Sequence, residues 1–122
     1  MKRSLYNAWL KALETAPKTR YLLKDSKGMC CLGVLCTLIP DIKLSKKRLA
    51  RSPTWFKYKK DKSCASIPNE LSKELGISKT GQRIDGGRYR SLTYINDNSD
   101  TFAPVIQALR DHPEAYFEIE ED

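Results

Sequence analysis

Apolar residues recur at helical spacing near the start of the chain. The positions i, i+3, i+4, i+7 and i+8 are filled by Leu5, Ala8, Trp9, Ala12 and Leu13. This spacing places apolar side chains on one face of a helix. We therefore predict an amphipathic helix from an N-cap at Ser4 to about Leu13, with Trp9 as an anchor in the core.

The longest run without a charged residue is MCCLGVLCTLIP at 29–40. Such a run predicts a buried element, which we interpret as a short strand at Met29–Cys31 followed by a helix over about 32–39, ended by Pro40. A helix that is apolar on all sides belongs in the centre of a domain. Gly33 lowers helix propensity by about 1 kcal/mol relative to Ala, so we expect that its small size lets another backbone approach.

A β-hairpin is predicted immediately before this helix. Tyr21–Leu23 forms the first strand, residues 24–28 form the turn, and Met29–Cys31 returns as the second strand. Gly28 is expected to supply a positive φ in the turn. Because an isolated two-stranded hairpin is only marginally stable, we expect this one to pack against the helices.

The second half of the chain contains patterns for three further helices. A short helix begins near Pro68 and ends at Leu75, with Gly76 placed for a Schellman cap. One or two helical turns follow at 92–97, and a last amphipathic helix begins near Thr101. The apolar face of that helix is formed by Phe102, Val105, Ile106 and Leu109.

Two polar features lie between these helices. The segment 82–90 contains Asp85-Gly86-Gly87 and predicts a second hairpin or a loop. Asp97 and Asp100 precede the last helix, where carboxylates commonly cap the N-terminus. With 122 residues, the chain has the size of one domain. We predict a single α+β domain over 1–122, with three to four short helices around a buried central helix and one or two short β-hairpins.

Residues 43–62, here called the basic segment, differ in composition from the rest of the chain. They hold nine Lys or Arg residues against the single Asp61, a net charge of +8, whereas the whole chain carries +7. Pro53 and the absence of a clean period predict a loop or a short irregular helix. By contrast, the tail 114–122 carries five of the fifteen acidic residues, and we expect it to fold against the basic segment or to be solvated.

The excess of positive charge favours an anionic partner. Basic surfaces with stacking aromatic residues bind single-stranded nucleic acid, but the same residues could line a nucleotide pocket or dock an acidic host protein. Alternatively, Trp55 and Phe56 attach the basic segment to the core while the lysines form a solvated face. The candidate binding residues are Arg48, Arg51, Trp55, Phe56, Tyr58, Lys59, Lys60, Arg83, Arg88 and Arg90.

The sequence offers little for catalysis or metal binding. Its four cysteines, at 30, 31, 36 and 64, lack the C-x₂-C spacing of structural zinc. Cys64 and His112 could complete a set of ligands, but we favour buried thiols that act as small apolar groups. No P-loop is present. We therefore expect no metal, no cofactor and no catalytic residue, with a small hydrolase as the remaining enzymatic alternative.

Two further patterns bear on the compartment. Asn7, Lys11 and Glu14 interrupt any hydrophobic signal sequence, and no stretch approaches the roughly 20 apolar residues of a membrane span. Cysteines without a secretory signal are typical of reduced cytoplasmic proteins. We expect a cytoplasmic protein without a membrane partner, and a homo-oligomer is compatible with the sequence.

Two motifs, taken in their order along the chain, resemble a family of small, mostly uncharacterised phage proteins. Cys30-Cys31-Leu32-Gly33-Val34-Leu35-Cys36 resembles the CCLGVLC signature of that family, and it follows a short helix with Trp9. Leu92-Thr93-Tyr94-Ile95-Asn96-Asp97 is similar to its LT-x-(L/I)ND motif, which also precedes an amphipathic helix. The short helix ending in Leu75-Gly76 matches as well, whereas the basic segment is not part of the family pattern.

This resemblance implies a phage accessory protein in the cytoplasm of a bacterial host, and it implies no mechanism. Together with the charge, it favours a protein that acts by binding rather than by catalysis. Such a protein would counter or redirect a host defence system by occupying a host protein or by sequestering a nucleotide signal. The alternative is a nucleic-acid-binding accessory protein that uses the basic segment 43–62.

Overall fold

The computed structural model describes residues 1–44, 54–77 and 89–122. These ranges contain six helices and one three-stranded antiparallel sheet, which confirms the predicted α+β class. The helices are α1 (Arg3–Leu13), α2 (Cys31–Thr37), α3 (Asn69–Leu75), α4 (Leu92–Asp97), α5 (Ala103–Asp111) and α6 (Pro113–Tyr116). The strands are β1 (Lys43–Leu44), β2 (Phe56–Tyr58) and β3 (Asp61–Ser63). The hairpin or loop predicted around Asp85 lies outside the described residues.

Helix α2 is the centre of the core, as predicted from its apolar run. Every residue from Cys31 to Cys36 is buried. A Cβ added to Gly33 would lie 1.9 Å from the carbonyl oxygen of Leu23, so the expected close backbone approach is confirmed. Trp9 is fully buried and its indole Nε1 donates a hydrogen bond to the Cys31 carbonyl over 2.9 Å, which joins α1 to α2.

The hairpin predicted before α2 is wrong. Residues 18–29 form a loop joined only by isolated bridges, in which Met29 pairs with both Lys18 and Lys24. Gly28 is needed here for space, because a Cβ at this position would lie 2.4 Å from the Pro17 carbonyl oxygen. The positive φ belongs instead to Tyr21, at 68°.

The start of α1 differs from the prediction because its capping group comes from the other end of the chain. Ser4 is not the N-cap; it lies inside the helix, and its backbone N–H donates to the Asp122 carboxylate over 2.9 Å. The acidic tail runs beside the first residues, with Arg3 N–H donating to the Glu120 carbonyl over 2.8 Å. The tail therefore packs against the start of α1 and is not free in solvent.

The predicted end of α3 is confirmed. Gly76 adopts the left-handed conformation at φ 67°, and the Ile77 N–H donates to the Ser72 carbonyl over 3.0 Å, which is the long hydrogen bond of a Schellman motif. Helices α4 and α5 also lie where their patterns placed them. The carboxylates of Asp97 and Asp100, however, do not cap α5: Asp97 accepts from the backbone of Tyr21, and Asp100 pairs with Arg20.

The basic segment contains strands where a loop or an irregular helix was predicted. The sheet order is β1-β2-β3, and a two-residue turn at Lys59 and Lys60 joins the second strand to the third. Side chains alternate along β2: Phe56 and Tyr58 are buried, whereas Lys57 is exposed. This alternation has the period of a half-buried strand, and the dense charge around it obscured the pattern.

Candidate functional site

The register of the sheet sets three lysines side by side. Lys43 on β1 pairs with Lys57 on β2, and Lys57 pairs with Lys62 on β3. All three side chains are exposed. Neighbouring strands lie about 4.8 Å apart, so the three lysines cross the outer face of the sheet in a line. We call Lys43, Lys57 and Lys62 the lysine row.

The opposite face of the sheet packs on the core and holds the one acid of the basic segment. Phe56 and Tyr58 turn into the core, with exposures of 2% and 6%. Asp61 stands opposite Tyr58 and faces the same way, where its carboxylate accepts a hydrogen bond from the Glu70 N–H at the start of α3 over 2.9 Å. The single acid of the basic segment is therefore used to attach α3 to the sheet.

The lysine row is unfavourable for the isolated fold. Like charges placed directly opposite on neighbouring strands destabilise a sheet, by up to about 1 kcal/mol for each pair. Within the described ranges, the four ion pairs involve other residues, and none includes a lysine of the row. A bound anion would offset the electrostatic repulsion among the three lysines.

Trp55 extends the lysine row with an aromatic surface. It directly precedes β2, and the alternation along this strand places it on the same face as Lys57. Its side chain is 43% exposed. The Nζ atom of Lys62 lies 5.8 Å from the centroid of the Trp55 ring, within the range of a cation–π contact. Exposed indole and ammonium groups thus share one face.

The structure separates the predicted residues of the basic segment into different roles. Phe56 and Tyr58 are wrong as stacking residues, because they are buried and the Tyr58 hydroxyl donates to Glu74. Lys59 pairs with the same carboxylate and adopts φ 53° in the turn. The Glu74 pKa lies below its ordinary value because Lys59 and Tyr58 both donate to it. Lys60 is exposed in that turn.

Of the predicted arginines, Arg90 alone lies within the described residues, and it is not on the outer face of the sheet. Arg90 lies on a different surface, before α4, where its guanidinium carbon is 4.3 Å from the centroid of the Tyr94 ring. Its carbonyl accepts a hydrogen bond from the Tyr116 hydroxyl over 2.8 Å. Four other candidates lie outside the described residues: Arg48, Arg51, Arg83 and Arg88.

The three lysines of the row belong to the basic segment but are not among the candidate binding residues predicted from the sequence. Their juxtaposition depends on the register across three strands, which in turn depends on the two-residue turn after Tyr58. The alternation of Trp55, Phe56, Lys57 and Tyr58 was the signal that could have revealed the outward position of Lys57.

The cysteines of α2 lie in the core. Burial raises the pKa of Cys30 to about 11 and that of Cys36 to about 12, and it raises the pKa of Cys31 well above its ordinary value. Thiols with such pKa values are poor nucleophiles at neutral pH. Among the residues that the structure describes, no group of three or more His, Cys, Asp or Glu side chains is placed to hold a metal ion.

Comparison with protein-family models gave no match, and searches of curated proteins and of solved structures found no significant similarity. The resemblance to phage proteins therefore stays a prediction from the motifs. None of the helices in the described ranges combines the length and the apolar character needed to cross a membrane.

Proposed function

We propose that this protein acts by binding rather than catalysis, and that it holds single-stranded nucleic acid on the outer face of its sheet. The observation that carries the proposal is the lysine row beside the exposed ring of Trp55. Lysines of this kind neutralise phosphates, while an exposed indole stacks on a base of any sequence. The phage origin and cytoplasmic location implied by the motifs belong to the same proposal.

The spread of positive charge across this face favours a polyanion over a small nucleotide at the lysine row. Its three ammonium groups are spread across three strands, so a chain of repeated phosphates can reach all of them together. In sequence, residues 45–53 between β1 and β2 add four basic residues, among them Arg48 and Arg51, and no acid. This further positive charge lies next to the row along the chain.

Fluorescence anisotropy with a labelled single-stranded oligonucleotide tests the proposal. Three lysine–phosphate contacts predict that the logarithm of affinity falls with the logarithm of salt concentration with a slope of about −2. Trp55→Ala should weaken binding by about 5- to 100-fold, the range for one stacked base. Tyr94→Ala is the matched control, because Tyr94 is equally exposed but lies on α4.

Two outcomes would contradict this function. Equal affinities of the wild type and Trp55→Ala would exclude stacking on Trp55. A slope of log affinity against log salt concentration near zero would exclude the phosphate contacts. The competing hypothesis, that the protein occupies an acidic host protein, predicts a stoichiometric protein complex that survives nuclease treatment and does not compete with the oligonucleotide.

A further inference from the structure

The two motifs singled out in the sequence meet at one buried asparagine. Asn96 is 1% exposed. Its Oδ1 atom accepts a hydrogen bond from the Cys31 N–H over 3.0 Å, and its Nδ2 donates to the Thr19 carbonyl over 3.1 Å. The neighbouring Asp97 carboxylate accepts from the Tyr21 N–H over 2.9 Å. Two residues at the end of α4 therefore hold the backbone of residues 19–21, and Asn96 joins this segment to the first residue of α2.

The segment held in this way presents Tyr21 to solvent. Among the large hydrophobic side chains of the described ranges, Tyr21 is the most exposed, at 69%. Its φ of 68° is a left-handed conformation that a bulky residue rarely adopts. Strained residues of this kind persist only where the surrounding structure holds them, and they concentrate at binding and active sites.

A polar depression of about 550 Å³ opens beside Tyr21, within the volume range of small-molecule sites. It is lined by three basic residues, Lys18, Arg20 and Lys27. It also contains two acids, Asp25 and Asp100. Asp100 pairs with Arg20 over 2.6 Å, and Asp25 accepts from the Lys27 N–H over 2.8 Å and from the Thr19 hydroxyl.

The lining of the depression carries a net positive charge of one, from three basic and two acidic residues. Lys18 and Lys27 take no part in the four ion pairs found in the described ranges. Burial and the nearby Arg20 lower the pKa of Lys18 and outweigh the opposite effect of Asp97 and Asp100, so its charged form gains from a further anion that enters the depression.

We propose that this depression binds a nucleoside phosphate, with the base stacked on Tyr21 and the phosphates held by Lys18 and Lys27. The site is formed by the loop between α1 and α2 together with Asp100, which lies between α4 and α5. It does not depend on the lysine row of the sheet. A free nucleotide and the phosphorylated end of a strand share the chemistry that this site would recognise.

Isothermal titration calorimetry at low salt, with each of the four ribonucleoside triphosphates, tests the site. Inorganic triphosphate and the unphosphorylated nucleosides serve as the two half-ligands, and both should bind at least about tenfold more weakly than the best nucleotide. A 5′-phosphorylated trinucleotide, compared with its unphosphorylated form, then shows whether the site takes strand ends as well as free nucleotides.

Tyr21→Gly is the decisive variant because glycine adopts a positive φ without strain. The melting temperature should stay the same or rise, while nucleotide affinity falls by about 5- to 100-fold. Lys18→Gln combined with Lys27→Gln should abolish measurable binding. Lys57→Gln, which alters the sheet alone, should leave nucleotide binding unchanged, so this proposal and that for the lysine row can fail separately.

Three results would overturn the nucleotide site. One is that none of the four nucleotides binds below about 1 mM. Another is that inorganic triphosphate binds as tightly as the nucleotides, which would reduce the site to a patch of positive charge. The third is that Tyr21→Gly binds like the wild type.

Discussion

The core around α2 pairs its buried polar groups and packs closely, whereas the outer face of the sheet leaves like charges side by side. Around α2, the Trp9 indole and the Asn96 amide each reach a backbone partner, and Gly33 fits against a carbonyl that leaves no room for a methyl group. On the sheet, Lys43, Lys57 and Lys62 stand next to one another. The first region serves the stability of the fold, whereas the like charges of the second are unfavourable for it, and we propose that an external anion offsets this cost.

The largest expected effect comes from crowding the core. Gly33→Ala would place a Cβ 1.9 Å from the Leu23 carbonyl oxygen, and backbone atoms on both sides must move. We expect a loss of about 4 kcal/mol in the free energy of unfolding, measured by urea denaturation. Thr37→Ala, at the exposed end of the same helix, is the control. An unchanged urea midpoint for Gly33→Ala would show that the close approach is not required.

The next largest effect concerns the buried asparagine that joins α2, α4 and the loop. Asn96→Ala leaves the Cys31 N–H and the Thr19 carbonyl without their partner, and we expect a loss of about 2–4 kcal/mol. Asn98→Ala, which alters an exposed amide bonded within α4, should cost much less. If both variants had the same melting temperature, the central role of Asn96 would be contradicted.

A smaller effect is expected from Asp25, whose carboxylate organises the turn beside Tyr21. Burial alone would raise the Asp25 pKa, but hydrogen bonds from Thr19, Lys27 and Gly28 outweigh it and lower the pKa below the ordinary value of 3.8. A carboxyl group with a lower pKa in the folded state stabilises the fold above pH 3.8, and this contribution is lost as the pH falls through the folded pKa.

Asp25→Asn should therefore be less stable than the wild type at pH 7, and the difference should shrink toward pH 3. Urea midpoints of both proteins across this range measure the effect. A difference that stays constant with pH would mean that the ionised carboxylate of Asp25 is not what stabilises the turn.

The parts of the fold that the sequence predicted well are those whose causes are local. The periodicity of α1 and the glycine that ends α3 act within a few residues of their own position. The errors occurred where a distant residue decides. Asp122 replaces Ser4 as the capping group of α1, and Asp97 fixes the backbone of Tyr21, which had been assigned to a strand.

The candidate site shows the same division between local and distant causes. The charge and the aromatic content of the basic segment were visible, and they indicated an anionic partner before any fold was known. Which lysines stand together could not be predicted, because strands of two or three residues give little periodic signal and their register is set across three strands. Phe56 and Tyr58 are buried and therefore do not belong to the binding surface.

The most direct test of the central claim is to measure folding stability and nucleic-acid affinity on the same Lys57→Gln protein. Lys57 lies in the middle of the lysine row, so its removal relieves two like-charge contacts at once. We predict that the free energy of unfolding rises by about 0.5–1 kcal/mol, while the affinity for a single-stranded oligonucleotide falls and the salt slope becomes shallower by about 0.7.

Lys11→Gln, on the exposed surface of α1, should change neither quantity appreciably. A Lys57→Gln protein that gains stability without losing affinity would contradict the account, because the lysine row would then oppose folding and serve no nucleic-acid partner.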